Sequence, residues 1–416
     1  MRPIFFPLLA LSCISAVGAA FAEDWPMWRG PRLDGTSAES GIPTTWSATE
    51  NVLWRTPLPG SGHASPIVWG DRVFIVAADP ATEERMLLCL DASTGAIRWQ
   101  QVVIKAIPEQ IHTLNSLASS TPATDGEKVF CTFLDGEQVA VAAYDFAGKE
   151  IWLKRPGVFH SKHGFCSSPV LYKNKVIVNC DHDGDGYIVA LARKDGAELW
   201  RIARPNHTRS YCVPLIRELA GKTQMVLSGT KCVTSYNPDN GELYWTIDGP
   251  TEQFVASMVY SDRAKLLFLT AGFPQHHLLA IRPDGSGNVT ETHIAWRTIK
   301  GAAYVPSPVA AGDYFLVVSD AGIAHCYEAA TGNLAWQERV GDEHASLVEA
   351  GGLVYFLSDT GLTHVVKPGP TYELVAENNL GERTFASPAI SGGRIFLRGD
   401  KSLFCIGKAP RTSAQR

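Results

Sequence analysis

Two groupings of residues in this 416-residue chain have types and spacing that could do chemistry. The first is Asp181-His182-Asp183-Gly184-Asp185-Gly186. Oxygen-bearing side chains at alternate positions, with glycine sixth for the sharp bend, match the first half of a calcium loop. Ile188 falls at the usual apolar eighth position, so Asp181, Asp183 and Asp185 are the candidate metal ligands. The second half of such a loop does not follow. Val189 brings no side-chain oxygen to the ninth position, and Ala192 stands where a bidentate glutamate belongs. An exposed hairpin turn between the apolar runs 176–179 and 187–190 accounts for the same residues without a metal.

The second grouping is His63, His163, Arg209, Tyr211, Tyr304 and His344. These residues are distant along the chain and become neighbours only through a repeat, described below. His63 and His344 lie three residues before a recurring, mostly proline position, and His163 lies six before it. Together the six would give one mouth of a channel a polar, partly basic and aromatic lining, suited to an anionic or sugar-like ligand. In the other repeats the histidine column reads Ser119, Cys166, Tyr211, Val255, Val305 and Phe385. That column holds no carboxylate to orient an imidazole, so no paired acid and base and no catalytic residue is expected. Solvated or capping histidines are the plainer alternative.

Cysteine offers no third site. Eight follow residue 22, none adjacent and none in a C-x-x-C pair, and several sit in apolar runs such as Leu87-Leu88-Cys89-Leu90. Buried free thiols acting as small hydrophobes are expected, although an oxidising compartment would permit disulfides. The balance of 37 basic and 42 acidic side chains, net −5, argues against a nucleic-acid partner, which needs a basic footprint.

Positioning such scattered groups requires a repeating scaffold, and the chain has one. Trp54, Trp99, Trp152, Trp200, Trp245, Trp296 and Trp336 recur at intervals of 40 to 53 residues. Most close a common phrase in which a polar turn with glycine precedes tryptophan by four residues, as in Gly95…Trp99 and Gly332…Trp336. The phrase predicts a hairpin whose turn glycine takes positive φ and whose outer strand presents an indole able to seal the joint with a neighbouring unit. A second column aligns Pro66, Pro122, Pro169, Pro214, Met258, Pro308, Leu347 and Pro388. The residue before each is Ser65, Thr121, Ser168, Val213, Ser257, Ser307, Ser346 and Ser387, and the one before that is small. Small residues fit strands converging on an axis, and proline fits the start of an innermost strand.

Units of four short strands at this period predict an all-β, eight-bladed β-propeller of four-stranded blades. The last unit lacks its tryptophan strand, whereas residues 51–55 precede the first unit. The amino-terminal strand is therefore expected to complete the eighth blade and close the ring. Two blades depart from the pattern. The seventh carries Leu374-Val375 in place of an indole, so smaller aliphatics are expected at its joint, and the fifth has a longer turn across 283–292.

Ahead of the ring, Arg2, the apolar stretch 4–17 and Ala20-Phe21-Ala22 have the form of a secretory signal. Cleavage after Ala22 and a periplasmic or secreted product are expected. A lipid anchor at Cys13 is the alternative, disfavoured by Ala10 where such signals carry leucine. No later stretch is long enough to span a bilayer. The expected division is a signal peptide over 1–22, an extension over 23–50, the propeller over 51–408 and a disordered tail over 409–416.

The phrase aspartate-x-x-threonine-glycine-x-x-x-tryptophan, best seen at Asp91-Ala92-Ser93-Thr94-Gly95…Trp99, resembles the repeat of pyrroloquinoline-quinone-type (PQQ-like) propellers. Among these are the B lipoprotein of the outer-membrane β-barrel assembly machine and the larger quinoprotein alcohol dehydrogenases. The opening Asp24-Trp25-Pro26-Met27-Trp28-Arg29-Gly30-Pro31 is similar to that of exported members common in planctomycete-like bacteria. Two functions follow from the resemblance. One is a monomeric, non-catalytic binding or scaffold module with a protein or envelope partner, as in outer-membrane protein assembly. The other is a PQQ- and calcium-dependent oxidoreductase of alcohols or sugars. The second implies a vicinal cysteine pair, a calcium held by carboxylate and amide oxygens, an aspartate base and long insertions over the channel. The chain has no adjacent cysteines and short units. The first function, with no cofactor, is therefore the expectation.

Overall fold

The structure is a computed structural model that describes residues 22–408; Cys13 with the rest of 1–21, and the tail 409–416, lie outside the described residues. Each repeat folds as an antiparallel meander, and eight such sheets form an all-β, eight-bladed propeller. In the first blade Ile67–Trp69, Arg72–Asp79, Glu84–Asp91 and Ile97–Lys105 pair in chain order. Its two middle strands are buried along nearly their whole length, because neighbouring blades cover both faces; the outermost strand is largely exposed. The middle strands accordingly read as continuous apolar runs rather than as alternations.

Ring closure follows the predicted route. Val52–Pro57 pairs antiparallel with Ser402–Ile406, Val52 opposite Ile406 and Pro57 opposite Ser402, outside Arg394–Arg398 and Ala389–Ser391. Arg398 adds a second closure from the inside. Its buried guanidinium donates to Val76 O of the first blade at 2.6 Å.

Five of the seven repeat tryptophans fasten their blade to the next, whereas Trp245 bonds Gln224 of its own blade and the Trp200 indole N–H has no partner. Trp54 Nε1 donates to Ala92 O at 3.1 Å, Trp99 to Phe146 O at 3.0 Å and Trp152 to Arg193 O at 3.1 Å. Trp296 and Trp336 reach Ala329 O and Gly369 O, each at 3.0 Å. Every acceptor belongs to the outer turn of the following blade, and at the Trp54, Trp99, Trp152 and Trp296 joints the turn glycine makes room for the indole. A Cβ on Gly95 would lie 2.6 Å from the Trp54 ring, and one on Gly332 equally close to Trp296. Glycine is thus required twice, by φ of 74° and 75° and by the neighbour's ring.

The seventh joint differs from the expectation. Leu374 and Val375 remain exposed, and no aliphatic pair fills the gap. Trp46 of the extension supplies the indole instead, buried against Tyr355 with ring centroids 6.3 Å apart. Its backbone N–H donates to Asn378 Oδ1 at 2.7 Å, and Tyr355 Oη donates to Pro43 O at 3.1 Å. The long turn of the fifth blade also has a use. Gly287–Asn288 pairs in parallel with Trp245 and Thr246, and Val289 packs over the Trp245 cluster.

The hydroxyl column forms a belt around the axis. The Ser65 N–H donates to Thr121 Oγ1 at 3.0 Å and the Thr121 N–H to Ser168 Oγ at 2.9 Å. Val213, Ser257, Ser307 and Ser346 continue it onto Ser257, Ser307, Ser346 and Ser387, and the Ser387 N–H returns to Ser65 Oγ at 3.0 Å. Each hydroxyl caps the innermost strand of the preceding blade, where no sheet partner is available. The belt is interrupted between Ser168 and Val213, which offers no oxygen.

Beyond the belt the extension fills the channel. Trp25 pairs with Val68 of the first blade, and Pro26 O accepts the Thr124 N–H of the second at 2.8 Å. Leu33 packs with Val170, Leu215 and Met258, and Asp34 holds Arg217 at 2.8 Å. The buried Arg29 guanidinium donates to Leu347 O at 2.5 Å and to Pro308 O. Thr36–Ser37 then adds a parallel strand to the seventh blade. The channel is closed at this end.

Candidate functional site

Because strand order is the same in every blade, the loops entering the innermost strands and those joining second to third strands emerge on one face. There they enclose an axial cup of about 720 Å³. All eight residues of the histidine column line it: His63, Ser119, Cys166, Tyr211, Val255, Val305, His344 and Phe385. His163, Arg209 and Tyr304 line it too, so the six residues singled out from the sequence stand around one cavity.

The two column histidines differ in environment. His344 Nδ1 lies 2.7 Å from Asp359 Oδ2, and its backbone N–H donates to Asp359 Oδ1 at 3.0 Å. This corrects the expectation that no carboxylate orients a histidine. Burial works against charge on His344, but Asp359 wins and holds its pKa above the usual imidazole value. His63 packs on Phe385 with ring centroids 4.6 Å apart, and His344 meets the same ring at 5.6 Å. Burial, then the Arg398 cation behind it, push the His63 pKa down to about 4. Of the five histidines lining the cup, His63 is thus held toward its neutral form, whereas Asp359 shifts His344 toward its cation.

The remaining polar groups are held in place. The Tyr211 and Ser161 hydroxyls share a bond of 2.6 Å, and Tyr304 Oη donates to Gln253 Oε1 at 3.1 Å. His163 stands 6.3 Å from Tyr211 between ring centroids, its pKa lowered by burial and by Arg209. Sequence reasoning missed Lys162, Phe273 and Asp320, which also line the cup. Asp320 accepts the Tyr304 N–H at 2.7 Å and the Val305 N–H at 3.0 Å, much as Asp359 clamps His344 one blade on. The repeated phrase Ser319-Asp320-Ala321-Gly322 and Ser358-Asp359-Thr360-Gly361 was the signal for both.

The three candidate metal ligands are not brought together. Asp181 is fully buried on Arg204 at 2.9 Å, Asp183 pairs with Arg209, and Asp185 is exposed 3.5 Å from His207. Among the described residues no group of three or more His, Cys, Asp or Glu side chains could hold a metal ion. The hairpin lies between Lys175–Cys180 and Gly186–Ala192. The eight described cysteines are free, and burial pushes most of their thiols up to about 12, Cys89 and Cys166 included.

The quinone and calcium that the resemblance implies can be tested against this donor set. Calcium requires six to eight oxygens. Asp320, the carboxylate among the lining residues, already has an N–H on each oxygen. Cys166 is the single thiol of the lining and has no adjacent cysteine. Arg209, which could meet a carboxylate, is paired with Asp183. These residues do not fit the group.

Comparison with known proteins agrees with the fold. Residues 40–141, 83–337 and 289–367 match the sequence profile of the family described as outer membrane protein assembly factor BamB. A polyvinylalcohol dehydrogenase from Pseudomonas sp. is 26% identical over an alignment of 168 positions that covers 36% of this chain and 24% of that protein. The chain thus spans about a quarter of that relative's length. Among solved structures, BamB from Moraxella catarrhalis superposes with a TM-score of 0.58 at 12% identity, covering 86% of this chain and 99% of that one. A europium-containing methanol dehydrogenase superposes at 0.54 with 14% identity, covering 91% and 90%. At such identities the superpositions speak for the propeller alone, but the matched profile runs through most of the ring, and by it the chain belongs to the BamB family of PQQ-like β-propellers.

Proposed function

We propose that this chain is an exported, non-catalytic binding module of the cell envelope that engages a protein partner through its cup face. One observation carries the reading. The propeller is plugged at one end by its own extension, and at the other presents a cup with an apolar rim. Leu114 and Phe273 of the cup lining are 44% and 49% exposed, and Ile107 and Ile299 of the neighbouring loops 75% and 71%. Exposed apolar side chains gathered on one face mark an interaction surface. Membership in the BamB family supports a partner in outer-membrane protein assembly.

A second reading, oxidation of alcohols or sugars with a quinone, draws support from the polyvinylalcohol dehydrogenase match. The donor set of the cup counts against it.

Photo-cross-linking tests the first reading. A benzoylphenylalanine at Leu114 or Phe273 is expected to trap a discrete envelope protein in cells, whereas one at Ile151 on the outer strand of the second blade is not. Absence of any adduct at both rim positions would overturn the reading.

A further inference from the structure

The cup itself has a chemistry beyond that of its rim. Its volume of about 720 Å³ is that of a small-molecule site rather than of an empty channel. Rings surround it: Tyr211, Tyr304, Phe273 and Phe385, with the imidazole of His63 packed at a tilt on Phe385. Charge in the lining is uneven. Lys162, Arg209 and His344, with four further histidines (His63, His112, His163 and His276), share the lining with a single carboxylate, Asp320, whose oxygens already accept backbone N–H groups. Arg209 is itself paired with Asp183 outside the lining. His344 is differently placed. Asp359 takes its Nδ1, and no group among the described residues bonds Nε2, so this nitrogen remains for a ligand.

We infer that the cup binds a small carboxylated arene, its ring among the aromatic side chains and its carboxylate received by His344 Nε2. The inference rests on reading the cup face as the binding face. A hydrogen bond donated by a charged imidazole to a carboxylate is among the strong ones, and a neutral isostere of the ligand cannot accept it in the same way. Protonation of His344 should therefore govern affinity. The ionisable groups acting on it are Asp359, Asp320 and Asp342, with Glu343 adjacent in the chain and His63 across Phe385. The three aspartates favour its cation, burial keeps Glu343 toward its protonated, uncharged form, and His63 is held toward neutral.

Isothermal titration of the purified chain with 1-naphthoate and with neutral 1-naphthamide tests this. Naphthoate is expected to bind about tenfold or more tightly than naphthamide at pH 6. His344→Gln should remove that preference, and raising the pH to 9 should erode it in the wild type alone. Val305→Trp and, independently, Val255→Phe should abolish binding by filling the cup; a cooperative thermal transition shows that each variant is folded. Equal affinity for the two probes, or a preference unchanged in His344→Gln, overturns the assignment of ligand class and leaves the cross-linking result untouched. Naphthoate binding that survives both filling substitutions, or no naphthoate binding at all, overturns the cup as its site.

Discussion

The hydroxyl belt makes a prediction that separates a fastening device from a mere shortage of space. Thr121→Val keeps the shape of the side chain and removes one oxygen. Ser65 and Thr121 are almost fully buried, and the bond between them is 3.0 Å. The substitution therefore strands the Ser65 N–H in a place water does not reach. An unsatisfied buried donor costs about 1–3 kcal/mol, which the extra methyl offsets only in part. Val213→Thr is the converse change, placing an oxygen where the Ser168 N–H lacks one. A hydroxyl buried without a partner costs about 1–3 kcal/mol, but here the new bond should hold the change within about 0.5 kcal/mol of wild type. Val226→Thr, in a buried strand of the same blade, serves as the unpartnered control. Urea unfolding followed by tryptophan fluorescence reads all three. Equal losses in Val213→Thr and Val226→Thr, or no loss in Thr121→Val, would refute the belt as a source of stability.

Three further outcomes are expected. Trp46→Ala should cost about 3–5 kcal/mol, as for a buried aromatic truncated in a core, because the extension supplies the indole that the seventh blade lacks; Leu374→Ala, at an exposed position, should be nearly neutral, and a denaturation series ranks them. His63 binds its proton less readily when folded, so stability should fall as pH drops from 6.5 toward 4. His63→Phe should flatten that limb by about 3 kcal/mol at most in pH-dependent unfolding. Glu343 is buried with Oε1 on the Leu357 N–H at 3.1 Å and Oε2 unpartnered, and burial raises its pKa well above the usual value. The folded state keeps this proton longer than the unfolded one, so stability should fall as pH rises above 4.5, and Glu343→Gln should remove that slope.

Much of the ring was legible because it repeats. Tryptophan, turn glycine and serine recur in fixed order, and a period cannot be satisfied by unrelated local structures. The closing strand was legible by subtraction, since one blade was a strand short at one end of the chain and residues 51–55 were spare at the other. What the columns do was only partly legible. Gly95, Gly148, Gly196 and Gly332 read locally as positive-φ residues, yet each also receives the indole of the blade before it, a contact some forty residues away in sequence. The serine column reads as small, whereas its hydroxyls accept N–H groups across blades.

The six cup residues were legible because equivalent loop positions arrive at the same axial height. Asp359 escaped notice because it reaches His344 from a different loop of the same blade, outside the aligned column. The alternating aspartates misled in a different way. Spacing alone suggests convergence, but Arg204 draws Asp181 inward, Arg209 takes Asp183, and Asp185 stays at the surface. The extension has no period at all, so nothing in Trp25, Arg29, Leu33 or Trp46 announced that it plugs the channel and completes a joint.

The claim that the cup binds without redox turnover is most directly tested by dye-linked oxidation. The purified chain, incubated with PQQ and calcium, would be assayed with ethanol, polyvinyl alcohol and glucose. The expected result is no rate above a protein-free blank. A rate that saturates with substrate and disappears in Val305→Trp would contradict it.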